Sequence, residues 1–367
     1  MNNLVVSNFL HRPARSLVSV LGIAVGVLLI VFTVGLAEGS MRERASREAN
    51  VNAEIFFRPS GAIGMSGNES FRLKIEQAAE VKKVDGVAEV IPIGQTTIDV
   101  QDSKTGQRLI DGIEFDSYSK LVNIRIIDGR KFADDADEVI VDTAFSSQKK
   151  FSKGSRITMW DREFTVVGTY EPAAGARVKT SLKTMQKQLG GNGRATAFLV
   201  KIKDGYTPEK VAENISKDFP NNQLILTKDL EELYMNAIPA LGVFLNVIIG
   251  VAAVISALVI LLTMYTTVTE RTRQIGIMKS LGMSNIAIGW TITKEALLIS
   301  LIGIAGGIAL TFFLRWALTL VTTLEVQMSP FVIAIVFVVG LAGGALGGLY
   351  PAMRAARMEA VDALSYE

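Results

Sequence analysis

Long uncharged apolar runs alternate with sequence of mixed polarity along this chain. Four runs exceed the roughly 18 apolar residues that a membrane-spanning helix requires, and they cover Ser16–Ala37, Leu233–Thr269, Ala296–Leu314 and Val326–Met353. As a helix the second run would be about 55 Å long, so we expect it to project beyond the lipid at one end. The pattern predicts one span, a large domain and then three spans.

The stretch between the first two runs has the pattern of an α+β domain. Its predicted strands cover Val51–Pro59, Gly86–Gly94, Thr96–Gln101, Thr196–Lys203 and Asn222–Thr227, and its predicted helices cover Ser70–Val84 and Thr207–Phe219. Two β-α-β pieces, residues 50–103 and 194–230, predict a split membrane-proximal subdomain. The insertion between them, residues 104–193, predicts a more distal subdomain that contains a hairpin turning at Asp161–Arg162.

The predicted fold class is a membrane protein with four transmembrane helices and a large α+β extracytoplasmic domain inserted between helices 1 and 2. The expected segments are residues 1–15 (N-terminal segment), 16–38 (first span), 39–232 (inserted domain), 233–269 (second span with a stalk), 270–283 (short amphipathic helix), 284–318 (third span), 319–328 (loop), 329–352 (fourth span) and 353–367 (tail). The first run follows two arginines, as a signal peptide would, but it is longer than a usual signal-peptide core. A retained anchor is the favoured interpretation.

Charges in the short loops predict the orientation. Arginine and lysine residues cluster before the first span, between the second and third spans, and after the fourth, whereas the loop near residues 320–327 holds only Glu325. Because positive loops face the cytoplasm, we expect both termini there and the inserted domain outside.

Composition agrees with a membrane protein and narrows the chemistry. The chain is 49% hydrophobic and 20% charged, with a mean hydropathy of +0.34. Its net charge of +2 gives no sign of nucleic-acid binding. It has no cysteine and a single histidine, His11, which argues against disulfides, zinc sites and thiol or Ser-His catalysis. We therefore predict no catalytic residue and no metal site in this chain.

Two further motifs bear on cofactors. Asp134, Asp135, Asp137 and Glu138 form an acidic cluster, which is consistent with a divalent cation but more simply with a solvated turn. The sequence contains no Walker phosphate loop. Any nucleotide is therefore expected to bind a partner rather than these residues.

Three predicted spans carry glycine at four-residue spacing, which places small residues on one helix face and lets neighbouring backbones approach closely. Scattered glycines that lipid merely tolerates are the alternative interpretation. The candidate packing positions are Gly22, Gly26, Gly303, Gly307, Gly340, Gly344 and Gly348.

Lys294 and Glu295 lie at the approach to the third span, where charged residues are functional candidates. Adjacent residues do not share a helix face. We therefore favour snorkelling for the lysine and a helix–helix hydrogen bond for the glutamate over transport chemistry.

The segment "ERTRQIGIMKSLG" between the second and third spans predicts a short amphipathic helix. A helical projection groups Ile275, Ile277, Met278 and Leu281 on an apolar arc, with Gln274 intruding on it and Thr272, Arg273, Lys279 and Ser280 opposite. Such a helix can lie at the membrane interface or dock into a partner's groove. The pattern alone leaves both open.

The longer motif "TERTRQIGIMKSLGMS" resembles the signature of the FtsX/MacB-type permeases of ABC transporters. The matching positions are Glu270, Arg271, Ile275, Gly276, Leu281 and Gly282. The first span and the pair Glu295-Ala296 are also similar to that family. The tail resembles the family's C-terminal motif at Tyr350, Pro351, Ala352, Ala355, Ala356, Ala363, Leu364 and Glu367, with Arg354 and Arg357 nearby, and departs from it at Ala360 and Ser365.

The resemblance implies a multi-pass permease of the inner membrane, forming a homodimer or heterodimer served by cytoplasmic ATPase subunits that bind ATP and Mg. Residues 270–282 would be the coupling helix, docked in an ATPase cleft. ATPase closure would move the external domains without passing substrate between the spans (mechanotransmission). The implied function is export or extraction of a drug, peptide, lipid or lipoprotein, in some members with a periplasmic adaptor and outer-membrane channel. The alternative is a regulatory scaffold that activates an extracytoplasmic cell-wall hydrolase.

Overall fold

The computed structural model describes residues 13–60, 71–99, 107–236, 239–320 and 326–357. The chain divides into two compact units, which are Met1–Gly39 with Pro239–Glu367, and Ser40–Ile238. His11, Arg12, Glu325 and the tail beyond Arg357 lie outside the described residues, so the expectations placed on them stay predictions.

The helices are α1 (Pro13–Ala49), α2 (Gln77–Val81), α3 (Phe115–Val122), α4 (Thr143–Lys149), α5 (Leu182–Leu189), α6 (Pro208–Asp218), α7 (Leu230–Asn236), α8 (Pro239–Glu270), α9 (Thr272–Ser280), α10 (Asn285–Thr319) and α11 (Pro330–Arg357). The strands are β1 (Ile55–Pro59), β2 (Leu73–Lys74), β3 (Val87–Asp99), β4 (Gln107–Ile113), β5 (Arg125–Gly129), β6 (Glu138–Asp142), β7 (Arg156–Met159), β8 (Arg162–Glu171), β9 (Val178–Ser181), β10 (Arg194–Ala195), β11 (Ala197–Ile202) and β12 (Asn222–Leu226).

Helices α1, α8, α10 and α11 are each long and apolar enough to cross a membrane, and they are the four such helices in the described chain. This confirms the predicted number and order of spans. The helix of the first span runs on beyond residue 38 to Ala49, because the residues after the span are good helix formers. In the second apolar run, α7 covers Leu230–Asn236 and α8 covers Pro239–Glu270. The boundaries of the spans themselves stay predictions.

The glycines on the predicted faces lie at helix–helix contacts within one copy of the chain. A Cβ atom built at these positions would come within 3.0 Å of a neighbouring helix, closer than ordinary packing allows. Gly22 and Gly26 of α1 face α8; Gly303 and Gly307 of α10 face α1; Gly340, Gly344 and Gly348 of α11 face α10. Gly347, which is not among the predicted packing positions, meets α8.

The inserted domain is built on one continuous mixed sheet in the order β12-β1-β11-β3-β4-β9-β6-β8-β5, with β7 paired to β8. Strand β3 joins its two halves, because residues 87–93 pair with β11 and residues 94–99 pair with β4. The sequence predicted two strands here, which was wrong, because β3 is one strand. One half of the sheet consists of β12, β1, β11 and the first part of β3, and the other consists of the rest of β3 with β4 to β9. The predicted division into two subdomains stays a prediction. At the changeover, a Cβ atom built at Gly94 would lie 2.7 Å from the sulfur of Met185.

Successive side chains along a strand point to opposite faces of the sheet and pack in separate hydrophobic cores. In β1, Phe56 packs in the core that also holds Ile91 and Leu199, whereas Ile55 and Phe57 pack with Val211 on the other face. A third core, with Phe164 and Met185, lies under the second half of the sheet.

Two local predictions in this domain need correction. The helix predicted over Ser70–Val84 is mostly replaced by β2 and the single-turn α2, since Leu73 is taken up in pairing with β10. The hairpin of β7 and β8 is present, but it turns at Trp160–Asp161, where both residues have positive φ.

We expect Gly347→Ala to destabilise the helical unit by about 1–3 kcal/mol. The new Cβ would lie 2.5 Å from the carbonyl oxygen of Ala257, and a backbone atom cannot move aside cheaply. Thermal unfolding of the purified chain in detergent should show a lower midpoint.

Gly250→Ala is the matched control, because nothing lies within 4 Å of its Cβ position. It should leave the midpoint unchanged or raise it, since alanine has the higher helix propensity. Equal midpoints for the two variants would contradict the packing role of Gly347.

Candidate functional site

The segment between α8 and α10 is a helix with defined ends. Helix α8 ends at Glu270, and Arg271 departs from helical geometry before α9 begins. At the other end, the N–H of Gly282 donates to Lys279 and the N–H of Met283 donates to Met278, at 2.9 and 3.1 Å. This pattern is a Schellman motif, which requires a left-handed residue after the helix. Gly282 supplies it with φ +87°.

Helix α9 buries one face against its own bundle. Ile275 is 4% exposed and packs with Val268 of α8, Ile288 of α10 and Ala355 of α11. Half-buried Met278 packs on the same cluster. Three helices therefore fix the position of α9.

The opposite face of α9 is exposed. Ile277 is 44% and Leu281 81% exposed, and Arg273 and Gln274 beside them are also exposed. The predicted apolar arc was therefore wrong, because Ile275 and Ile277 lie on opposite faces, about 200° apart at 100° per residue. Gln274, which interrupts the predicted apolar arc, belongs to the outward face.

Arg271 points into the bundle. Its guanidinium lies 3.3 Å from Glu295 of α10, and both side chains are largely buried. The glutamate thus joins two parts of the helical unit, which is the helix–helix contact expected for it. The resemblance implied that residues 270–282, Arg271 among them, dock in an ATPase cleft, whereas the structure places the Arg271 guanidinium against Glu295.

Lys294 and the C-terminal motif make two cation–π contacts. The Lys294 ammonium lies 5.5 Å from the ring centroid of Trp290, and the Arg354 guanidinium lies 4.8 Å from that of Tyr265. The second contact attaches the end of α11 to α8. Pro351 is buried inside α11, which continues beyond the predicted span to Arg357, whereas Tyr350 is exposed.

A buried ionic cluster in the inserted domain was not predicted. Lys179 of β9 is fully buried, and its ammonium donates to Asp111 of β4 at 2.7 Å. Burial lowers the pKa of Lys179, and the charge of Asp111 opposes that shift. The Asp111 carboxylate also accepts from the N–H of Ala176 at 2.8 Å and from Gln95 at 3.2 Å.

The C-terminal end of α1 packs against the same buried ionic cluster. Arg47 donates to the carbonyl of Gly175 at 2.8 Å and lies 2.8 Å from Asp142 of β6. Glu43 pairs with Arg177. Glu48 is buried, and burial followed by the nearby charge of Asp111 raises the pKa of its carboxyl. The last two turns of α1 are thus held in the sheet by charged contacts.

Helix α7 is attached to the same end of α1. Arg42 lies 2.7 Å from Glu231, and the Arg44 guanidinium lies 5.0 Å from the ring centroid of Tyr234. The first and last helices of this unit are therefore attached to each other. Arginines on a helix that leaves a span are expected to be exposed to water, so the sequence alone did not predict these roles.

The acidic cluster is a turn of paired carboxylates. Asp134 and Asp135 lie 3.1 and 2.9 Å from Lys183 and Lys187. Asp137 pairs with Arg162, and Glu138 pairs with Arg130. Hydrogen bonding from Arg130 lowers the pKa of Glu138. Among the described residues, no group of three or more acidic or histidine side chains is placed to hold a metal.

Comparison with known proteins matches most of the chain. Residues 16–218 match the family model of the MacB-like periplasmic core domain, and residues 246–360 match that of the FtsX-like permease C-terminal region. The macrolide export ATP-binding/permease protein MacB of Chromobacterium violaceum is 26% identical over 401 residues, covering 96% of this chain and 58% of that protein. MacB of Neisseria meningitidis serogroup A is 25% identical, covering 99% and 60%.

The chain spans about three fifths of the length of these curated relatives. Among solved structures, the periplasmic region of MacB from Actinobacillus actinomycetemcomitans aligns with 51% of this chain and 95% of its own, at 16% identity and a TM-score of 0.37.

We expect Lys179→Met to lower the stability of the inserted domain by about 3–5 kcal/mol, because it leaves the buried carboxylate of Asp111 without its cation. Thermal unfolding of the full chain in detergent, followed by the fluorescence of Trp160 in a background that carries Trp290→Phe and Trp316→Phe, measures the change.

Lys183→Met is the matched control. Its pair with Asp134 is more than half exposed, and such pairs contribute about 0–1 kcal/mol. Equal losses in the two variants would show that the buried pair has no special role.

Proposed function

Because this chain belongs to the FtsX-like permease family and carries a MacB-like periplasmic core domain, we propose that it couples ATP hydrolysis by an ATPase to movement of its inserted domain. The work done is export or extraction of a substrate. The sequence has no Walker loop, so ATP and Mg would bind an ATPase domain or subunit outside these residues.

The outward face of α9 is the observation that carries this proposal. It presents Ile277 and Leu281 to solvent, beside Arg273 and Gln274, on a helix whose other face three helices hold in place. An exposed apolar pair framed by polar side chains is typical of a helix that docks in a groove. Rigid packing on the inner face allows a push on α9 to reach the spans directly.

The coupling roles are accordingly divided between the two faces of the segment. Arg273 and Gln274, with the exposed apolar pair, would meet the ATPase. Lys279 comes four residues after Ile275 and is half-buried on the side of the inner face. Arg271 and Glu295 would instead transmit its movement to α10. Glu270, Gly276 and Gly282 shape the ends and inner face of the segment.

The α1 helix supplies a path toward the inserted domain. It is continuous from Pro13 to Ala49, and its last turns are fixed in the sheet through Arg47 and Glu43. A rotation or tilt of α1 would therefore move the β4–β9–β6 part of the sheet rather than bend a linker. This mechanism needs no substrate path between the spans.

The assembly and location follow from the family as proposals. We infer a dimer with a second permease copy, in the inner membrane, with both termini and α9 in the cytoplasm and the inserted domain in the periplasm. The relatives are named for macrolide export, and a drug, peptide, lipid or lipoprotein is the proposed substrate class. A periplasmic adaptor and an outer-membrane channel complete the proposed exporter.

Purification of the native complex in mild detergent, with its members identified by mass spectrometry, tests the assembly. An ATPase together with a periplasmic adaptor would support the exporter. A cell-wall hydrolase in place of the adaptor would favour the regulatory scaffold, and no ATPase would contradict the proposal.

We expect Leu281→Asp to reduce ATPase stimulation by the permease to the basal rate, since docking would bury an unpaired carboxylate. The ATPase rate of the reconstituted complex measures this. Leu189→Asp, at a 41% exposed leucine of the inserted domain, is the control and should leave stimulation intact. Normal stimulation by folded, membrane-inserted Leu281→Asp would exclude the docking role.

Gly282→Ala tests the geometry of α9 separately. A Cβ is strained at φ +87° although no atom lies within 4 Å of it. We expect weaker stimulation, because a distorted end of α9 shifts Leu281. Unchanged stimulation would show that the Schellman end does not position the docking face.

A further inference from the structure

An open groove lies between the first turns of α10 and the last turns of α11. Its volume is about 420 Å³, within the range of ligand-binding clefts. Its walls are the large side chains of Ile286, Trp290, Leu349 and Met353, and Arg357 stands at its edge. The groove is thus almost wholly apolar, with a cationic rim.

Small residues create the floor of this groove. A Cβ built at Gly289 would lie 3.7 Å from the carbonyl oxygen of Ala352 and 3.9 Å from the Cβ of Ala356. The backbones of α10 and α11 therefore approach closely at the floor of the groove, while the large side chains that form its walls lie further apart. The result is a cleft rather than a flat surface.

The groove faces away from the coupling segment. Helix α9 packs on Ile288 of α10 and Ala355 of α11, and neither residue lines the groove. An ATPase docked on α9 would therefore approach a different face. A peptide in the groove would leave most of its backbone polar groups without partners, since the walls offer few polar atoms.

The charges around the groove favour an anion. Arg357 is exposed at one end of α11, and the ammonium of Lys294 lies 5.5 Å from the ring of Trp290, which forms a wall. No lining residue is acidic. Among the described residues, the carboxylate nearest in sequence to the groove is that of Glu295, which faces Arg271; Glu359, two residues after Arg357, lies outside the described residues.

The position along α10 fits the edge of a bilayer. The helix has 35 residues and is roughly 52 Å long, well beyond a hydrocarbon core of about 30 Å. Trp290 therefore lies near one end of the span, at the depth where tryptophan is enriched. A cationic groove between spans at this depth matches the headgroup and upper acyl chain of a lipid.

We propose that this groove binds one anionic phospholipid, with an acyl chain against Trp290, Leu349 and Met353 and the phosphate between Lys294 and Arg357. The lipid fills the cleft and connects the first turns of α10 to the last turns of α11. Its assignment to the cytoplasmic leaflet rests on the proposed function; binding itself does not.

Binding is measured on the full-length chain by native mass spectrometry, after exchange into detergent containing either dioleoyl phosphatidylglycerol or dioleoyl phosphatidylcholine. Wild type should retain one phosphatidylglycerol in preference to phosphatidylcholine. Lys294→Gln with Arg357→Gln should weaken retention at least about tenfold, since two headgroup contacts are lost. Arg315→Gln, at an exposed arginine near the other end of α10, is the control and should retain the lipid.

A second variant separates a built site from general attraction of acidic lipid to positive charge. Met353→Trp keeps both cations but fills the groove, so it should lose the bound lipid. Size exclusion and circular dichroism confirm folding of each variant. Retention by Met353→Trp, an equal loss in Arg315→Gln, or equal retention of the two lipids by wild type would each overturn the proposal. If a variant that has lost the lipid still stimulates the ATPase, the proposed coupling role of α9 does not depend on the lipid.

Discussion

Hydrocarbon gives helices no hydrophobic reason to associate, and this constraint organises the helical unit. Association must come from close van der Waals contact, which small residues allow. The glycines at four-residue spacing supply it between α1 and α10, between α1 and α8, and between α10 and α11. Because these contacts fix the spans, the inner face of α9 finds a preformed seat made by Val268, Ile288 and Ala355. The segment Glu270–Gly282, the proposed coupling segment, thus depends on apolar packing for its position.

In the inserted domain, by contrast, buried charged side chains hold the elements together at the end of α1. Where α1 ends in the sheet, arginines and glutamates are buried, and each must find partners because an unpaired buried charge is costly. Arg47 with Asp142 and Lys179 with Asp111 meet this demand across β4, β6 and β9. Such pairs add little net stability compared with apolar packing, but they have fixed geometry. They hold the end of α1 in one orientation, which suits the proposed transmission of movement through this helix.

The coupling segment combines these two modes of attachment. Ile275 is held by packing and Arg271 by an ion pair with Glu295, so both ends of the inner face are fixed. The outer face keeps its apolar residues in solvent, at a cost that a docked partner would remove. In a permease, that division lets one short helix act as a rigid connection rather than a flexible loop.

The sequence by itself determined the four spans, their order, the inserted α+β domain and the family, because apolar length, strand alternation and the motif around Gly276 are local properties. It also placed the glycine faces correctly at contacts. It could not predict which face of α9 is buried, because this nine-residue helix has apolar side chains on both sides and so no clear apolar stripe. The packing of Ile275 against the other helices determines which face is the inner one. Nor could it find the Lys179 cluster, because a lysine in a strand looks exposed until the sheet buries it. Only the fold, by bringing β4, β6 and β9 around the end of α1, made those charges partners.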